Sequence, residues 1–270
     1  MSDQPGSKPA SPPIDTTVPH SARVWNYWLG GEDNFPVDRR AGDRYQRDYP
    51  AIVDTARAAR HFMARVVRYL AGEAGIRQFL DVGTGLPTAD NTHEVAQAVA
   101  PSSRVVYVDN DPLVLTHARA LLASSPEGAC DYIEADMRDP AVILHGAART
   151  LDLSVPAALL FIGVLGHLAD YEQARSVVGG ILAGLPPGSY LVLADSIDTG
   201  QAHRDAGQRY AKTGAVPYRL RSPEEITSLF TGLDLIEPGV VHVQSWRPDP
   251  APSAPVHVDA IGGVARKPAR

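Results

Sequence analysis

The fold turns on Gln78–Thr88, QFLDVGTGLPT, read together with Arg104–Pro112, RVVYVDNDP. In the first stretch a short apolar run ends on Asp81 and breaks into Gly83-Thr84-Gly85, residues that let a backbone turn sharply and approach a ligand closely. In the second, another apolar run ends on Asp109 ahead of an Asn-Asp-Pro turn. Asp109 falls roughly two dozen residues past Gly85, near the spacing of about 20 at which an acid at the end of a second strand reaches ribose hydroxyls.

Moving outward, the runs DYIEAD (131–136), AALLFIG (157–163) and SYLVLAD (189–195) repeat the pattern, with helical periodicity over 88–99, 112–123, 140–149 and 171–183. Strands alternating with helices predict an α/β fold, a doubly wound Rossmann-like sheet of mostly parallel strands. Beyond the fifth strand come a polar helix near 200–212, a second starting at Ser222-Pro223-Glu224-Glu225 with a capping box, and two apolar runs, GVVHV and VHVDAIGGVAR. Those runs predict a closing antiparallel pair, for seven strands in all.

Ahead of the sheet, residues 21–49 carry Trp25, Tyr27, Trp28, Phe35, Tyr45 and Tyr49, six of the eighteen aromatics, so this block must be covered. Ile52, Val53, Ala56, Ala59, Phe62, Met63, Val66, Val67 and Leu70 follow at helical spacing, with Arg57, Arg60, Arg65 and Arg68 between them; Arg57, Arg60 and Arg68 read as a solvated face. The expected organisation is a flexible tail (1–19), an N-terminal helical segment covering the ligand site as a lid (20–75), and the α/β domain (76–270).

Composition narrows the partners. The net charge is −6, which argues against a broad basic face for nucleic acid or anionic lipid, and no apolar run approaches a membrane span. Cys130 is the only cysteine, so a multi-cysteine metal site is excluded; a reducing, cytoplasmic location is expected. Asp109-Asn110-Asp111 reads as a turn into a helix, and no metal is expected.

Ligands in such sheets sit beyond the carboxyl ends of the strands. Position 88 is Thr where a dinucleotide fingerprint needs its third glycine, and no Y-x-x-x-K or phosphate-cradling G-x-x-x-x-G-K is present. Adenosine without a pyrophosphate cradle fits S-adenosylmethionine. A nicotinamide oxidoreductase and a non-catalytic cofactor-binding module are the alternatives.

At residues 78–195 the chain resembles class I S-adenosylmethionine methyltransferases, with Pro87 in place of the third glycine of their first motif. Over residues 20–268 it is similar to an actinobacterial S-adenosyl methyltransferase family of undefined substrate, on the marks SARVWNYWLGGEDNFPVDR, FLDVGTGLPT, VVYVDNDP, LLFIGVLGHLAD, RSPEEITSLFTGLDLIEPGVV and GGVARK. The resemblance implies that Asp81, Gly83, Thr84 and Gly85 line the methionine part of the cofactor. It implies that Asp109 and Asn110 meet the ribose and that Asp136 and Met137 meet the adenine, with Phe161 and Gly163 beside the methyl group. His167, in the loop after the fourth strand, is the candidate base. Tyr27, Asp33 and Asn34 are the candidate contacts to a small-molecule methyl acceptor, methylated at O, N or C.

Overall fold

Five parallel strands set the frame in the order β3 (Ala129–Glu134), β2 (Arg104–Asp109), β1 (Gln78–Val82), β4 (Ala158–Ile162) and β5 (Tyr190–Ser196). The computed structural model describes residues 14–111, 113–114, 124–249 and 256–269. The helix expected over 112–123 lies largely outside the described residues. β8 (Ala260–Arg266) pairs antiparallel with β5, and the two-residue β6 (Asp234–Leu235) pairs with the far edge of β8. This completes a seven-strand path. A further two-residue strand, β7 (Val241–His242), pairs antiparallel with β8 off that path, giving eight strands among the described residues and the expected closing pair.

Both faces of the sheet are covered, so its central strands are apolar on both sides and their alternation sorts residues between two cores. Leu80, Val82, Leu191 and Leu193 belong to one core, with α6 (Tyr171–Ala183) and α8 (Pro223–Ser228). Phe79, Val105, Leu160 and Val192 belong to the other, against α3 (Ile52–Gly72). Ser222 caps α8 by accepting the Glu225 N–H at 3.2 Å while the Glu225 carboxylate accepts the Ser222 N–H at 3.0 Å. Among the described residues no helix is long and apolar enough to cross a membrane.

The N-terminal segment is tied to the rim of the sheet by buried charge. Arg23, on α1 (Ser21–Trp28), is 4% exposed; its Nε lies 3.6 Å from Asp111, just past β2, and its Nη1 lies 3.8 Å from Asp38. Asp38 sits in the first turn of α2 (Pro36–Asp48) and accepts the N–H groups of His20 and Phe35, both at 2.9 Å. His20 Nδ1 stands 3.0 Å from Asp111. The expected loose leader through residue 19 is shortened accordingly: the Asp15 carbonyl accepts from Arg23 at 2.9 Å, Pro19 is buried, and Ile14 packs beside Leu86 and Val114. Residues 1–13 lie outside the described residues.

Removing one member of a buried ion cluster strands the others, at a cost of about 3–5 kcal/mol. Arg23→Met is expected to lower unfolding free energy by about that amount in a denaturant melt. Arg57→Met, on the exposed side of α3, should change it by no more than about 0.5 kcal/mol.

Candidate active site

A cavity of about 270 Å³ opens at the carboxyl ends of β1, β2 and β4, roofed by α1. β1 delivers the chain into Gly83 and Gly85, whose φ angles of 73° and 67° favour glycine. A Cβ on Gly83 would fall 2.2 Å from Val164 Cγ2, so the loops after β1 and β4 touch only because that position is bare. At Gly85 and Gly163 the nearest atoms a Cβ would meet belong to Ala22 at 4.0 Å and Trp25 at 3.7 Å. Both expose backbone to the space beneath α1.

Asp109 ends β2 and is the hub of this loop. Its Oδ2 accepts the Gly85 N–H at 2.8 Å, and its Oδ1 accepts those of Asn110 at 2.8 Å and Asp111 at 3.0 Å. Burial pushes its carboxyl above the usual range, and the backbone donors oppose that. Three of roughly four lone-pair directions are thus taken, leaving room for one further donor.

Asp81 is buried at the end of β1, where desolvation raises its pKa and the Thr92 hydroxyl, donating at 2.6 Å, lowers it. Arg60 departs from the expected solvated face. It bonds Asn91 Oδ1 at 2.9 Å and the Ala89 carbonyl at 3.2 Å, and lines the cavity near Asp81. The helix expected from residue 88, with free N–H groups toward a ligand, begins later as α4 (Thr92–Val99). Thr88 and Asn91 close a turn on each other, and Glu94 takes the Asn91 N–H, so the Gly83–Gly85 loop stands in place of the helix terminus.

At the end of β3, Asp136, Met137 and Arg138 line the cavity. The Arg138 guanidinium holds the Asp136 carboxyl below its ordinary range, with contacts of 2.9 and 2.5 Å.

The loop after β4 forms a turn over Leu165–His167 whose carbonyls are gripped from the segment before α8. Arg221, fully buried, donates to Leu165 O at 2.8 Å and Leu168 O at 2.6 Å; Arg219 donates to Gly166 O and Ala169 O, both at 2.7 Å. The Tyr218 ring packs where a Gly166 side chain would be and edge-on to His167, with centroids 5.1 Å apart, and its hydroxyl donates to buried Asp195. His167 lines the cavity. Its Nδ1 lies 3.2 Å from the Pro217 carbonyl, which only an N–H can satisfy, so the ring's lone pair resides on Nε2. Burial lowers its pKa, favouring the neutral ring.

Several sequence candidates lie elsewhere. Phe161 is fully buried in the core, one residue short of the lining pair Ile162 and Gly163. On α1 and its C-cap the residues lining the cavity are Ser21, Ala22, Val24, Trp25, Trp28 and Leu29, one side of the helix, which leaves Tyr27 off that side, donating to Asp43 at 2.7 Å. Asn34 braces its own turn, donating to Asn26 Oδ1 at 3.0 Å and Gly31 O at 2.8 Å; neither it nor Asp33 lines the cavity. Trp25 and Trp28 take the place expected of Tyr27. The 3.6-residue period of SARVWNYWL was the signal that separates them. Arg221 and Asp195 carried no local signal, because their partners are distant in sequence.

A family model described as S-adenosyl methyltransferase matches residues 7–268. The chain belongs to this S-adenosyl methyltransferase family. It is accordingly an S-adenosylmethionine-dependent methyltransferase. Its structure is similar to that of a DUF574 family protein from Streptomyces avermitilis, with a TM-score of 0.91 and 47% identity over 95% of this chain and 100% of that one. It is also similar to a protein from Thermobifida fusca described as a candidate methyltransferase, with a TM-score of 0.86 and 44% identity over 94% and 97% of the two chains. No curated protein matches the chain. The bare backbone at Gly85 and Gly163 and the acid ending β2 suit the family's cofactor.

Asp195 yields a pH signature. Burial pushes its carboxyl up to about 7, against the pull of Arg221 at 3.8 Å, whereas the unfolded chain releases that proton near about 4. Between those values the folded state binds more protons, so this group lowers stability as pH rises from about 4 to about 7 and changes nothing further above. Asp195→Asn is expected to flatten that slope. Thermal melts should show the variant gaining on the native protein across this window and running parallel to it at higher pH.

Proposed function

We propose that the protein methylates O, N or C of a small-molecule acceptor bound between the α1 aromatics and the turn carrying His167. The cofactor would lie along the β1 to β3 ends of the same cavity. The observation that carries this reading is the 3.2 Å contact of His167 Nδ1 with the Pro217 carbonyl, which favours a neutral imidazole with its lone pair on Nε2, in a side chain lining the cavity that Asp109 and Gly85 also border.

The bound cofactor supplies a methyl already activated on a sulfonium, so the chain's own task is to hold, align and keep dry. Asp109 receives a ribose hydroxyl on its remaining lone pair, and the Asn110 side chain, which lines the cavity, receives its neighbour. Asp81, with Gly83, Thr84 and Gly85, borders the methionine end. Met137 supplies an apolar surface for the adenine and Asp136 accepts from its amine. Gly163 gives the methyl group clearance, and Trp25 above it excludes water. His167 takes the acceptor's proton at Nε2.

Three measurements test this. S-adenosylhomocysteine should raise the melting temperature through mass action on the native state while NAD leaves it unchanged. Asp109→Asn should weaken S-adenosylhomocysteine binding by about 10- to 100-fold, the loss of charge-assisted hydrogen bonds. An unchanged affinity in calorimetry removes Asp109 from the cofactor site. For the base, His167→Gln should slow methyl transfer by about 10²–10⁴-fold, the usual contribution of a general base, with S-adenosylhomocysteine affinity nearly preserved. Equal turnover in the variant excludes the role.

A further inference from the structure

Charge is divided unevenly along the cavity. Its acidic and basic side chains Arg60, Asp81, Asp109, Asp136 and Arg138 come from the ends of β1, β2 and β3 and from the stretch of α3 beside them. α3 runs along the cavity from Ile52 to Met63, and a helix of that span covers about 16 Å. Toward its Ile52 end, among the described residues, the wall carries no Asp, Glu, Lys or Arg. Its rings are those of Trp25, Trp28, Tyr45, His203, Tyr210 and Tyr218.

These rings support one another edge to face, with centroids 5.9 Å apart for Trp25 and Trp28, 5.3 Å for Trp28 and Tyr45, and 6.1 Å for Tyr45 and Tyr210. Two of their polar tips are engaged, Trp28 Nε1 donating to Gly42 O at 3.3 Å and Tyr218 to Asp195, while the Tyr210 hydroxyl and His203 Nδ1 are buried without a protein partner among the described residues. His203 is stacked flat on Tyr49 at 4.0 Å, and burial lowers its pKa, which favours the uncharged ring. The lobe therefore presents π surface without fixed charge.

From this partition we infer that the acceptor is a flat, uncharged aromatic hydroxy compound, an inference that rests on the methyl-transfer reading above. An anionic acceptor would meet no cation in this lobe. A cationic one would suit aromatic faces but would be held against the sulfonium, where like charges repel in a low-dielectric site. An aromatic ring can stack on or meet these ring walls edge-on through its π face, which a saturated ring cannot. A phenolic hydroxyl is also the group that gains most from a neutral imidazole, because its oxygen becomes a strong nucleophile as the proton leaves. The new O–CH₃ bond forms as the S–CH₃ bond breaks, and the pair from the broken bond returns to sulfur, leaving a neutral thioether. The phenolic proton passes to His167 Nε2, and the resulting imidazolium releases it to water.

The test is calorimetric titration of the full chain, first with S-adenosylhomocysteine and then, on the loaded protein, with four probes: 2-naphthol, its fully saturated decahydro alcohol, 2-naphthoate and 2-naphthylmethylammonium. The expected result is that 2-naphthol binds about ten-fold or more tighter than each of the others, the factor that one or two aromatic contacts supply. Val216 lines the cavity beside this lobe and is 52% exposed, so Val216→Trp fills the mouth without disturbing the core. It should abolish naphthol binding while leaving S-adenosylhomocysteine affinity unchanged. The inference is overturned if the saturated alcohol binds equally well, if either ion binds more tightly, if no probe binds the loaded protein, or if Val216→Trp leaves naphthol affinity intact. Failure of S-adenosylhomocysteine to bind in the first titration is a separate outcome, and it removes the cofactor reading and this inference together.

Discussion

Everything at the cofactor end depends on one buried cation. The Arg23 guanidinium, between Asp38 of the helical segment and Asp111 at the rim of the sheet, is what keeps α1 lying across the strand ends. Desolvating three charged groups is expensive, and apolar residues could fill the same volume at no such cost. What apolar packing would not supply is charge complementarity: carboxylates on two different elements lie 3.6 and 3.8 Å from one guanidinium on α1, and their attraction favours the placement of that helix over the rim. With α1 so placed, Ala22 stands over Gly85 and Trp25 over Gly163, and the cavity has a roof.

A second buried arginine does the same at the other end. Arg221 holds the carbonyls of Leu165 and Leu168, so the turn that carries His167 has little freedom to fluctuate. Backbone carbonyls accept from Arg219 and Arg221 on one side, and Tyr218 fills the space left by Gly166 on the other. His167 thus has its ring plane set by Tyr218 and its tautomer set by Pro217, through contacts that a free loop would not maintain. Methyl transfer demands alignment more than strong acids or bases, and rigid support of this kind is how a protein provides alignment.

The sheet was legible in the sequence because burial on both faces writes itself as short apolar runs. FLDV, VVYVD, LLFI and YLVLAD have no alternative as amphipathic helices of adequate length. The ends of β1 and β2 were legible for the same reason, since Gly83, Gly85, Asp81 and Asp109 fall at fixed offsets from those runs. What was not legible depends on contacts between distant segments. Arg60 has the same spacing as exposed Arg57 and Arg68 and differs only in facing the loop at Ala89 and Asn91. Tyr27 and Asn34 drew notice as polar residues in an aromatic block, yet a helix shows a cavity only one stripe. That stripe passes through Trp25 and Trp28. The start of α4 was misplaced because Thr88 and Asn91 make a local turn that competes with the helix, a property of Asn and Thr that hydrophobic periodicity does not register.

The two ends of the cavity impose opposite demands on the same low-dielectric space, and the sequence meets them by segregation. A charged, polar cofactor needs fixed dipoles, so its end is built from backbone N–H groups and carboxylates whose remaining lone pairs are few: Asp109 accepts three backbone donors, and Asp136 accepts from Arg138. Each carboxylate is pre-oriented, and its lone-pair directions are largely spoken for before any ligand arrives. At the far end, fixed charge would hold water in place and keep a competing nucleophile beside the methyl group. Rings buttressed edge to face add no fixed charge there, and His167, whose burial favours the neutral ring, lines the same cavity. Asp195 shows how strictly this separation is kept. It does not line the cavity; it is buried and accepts from the Tyr218 hydroxyl, whose ring does, with burial holding its proton up to about pH 7.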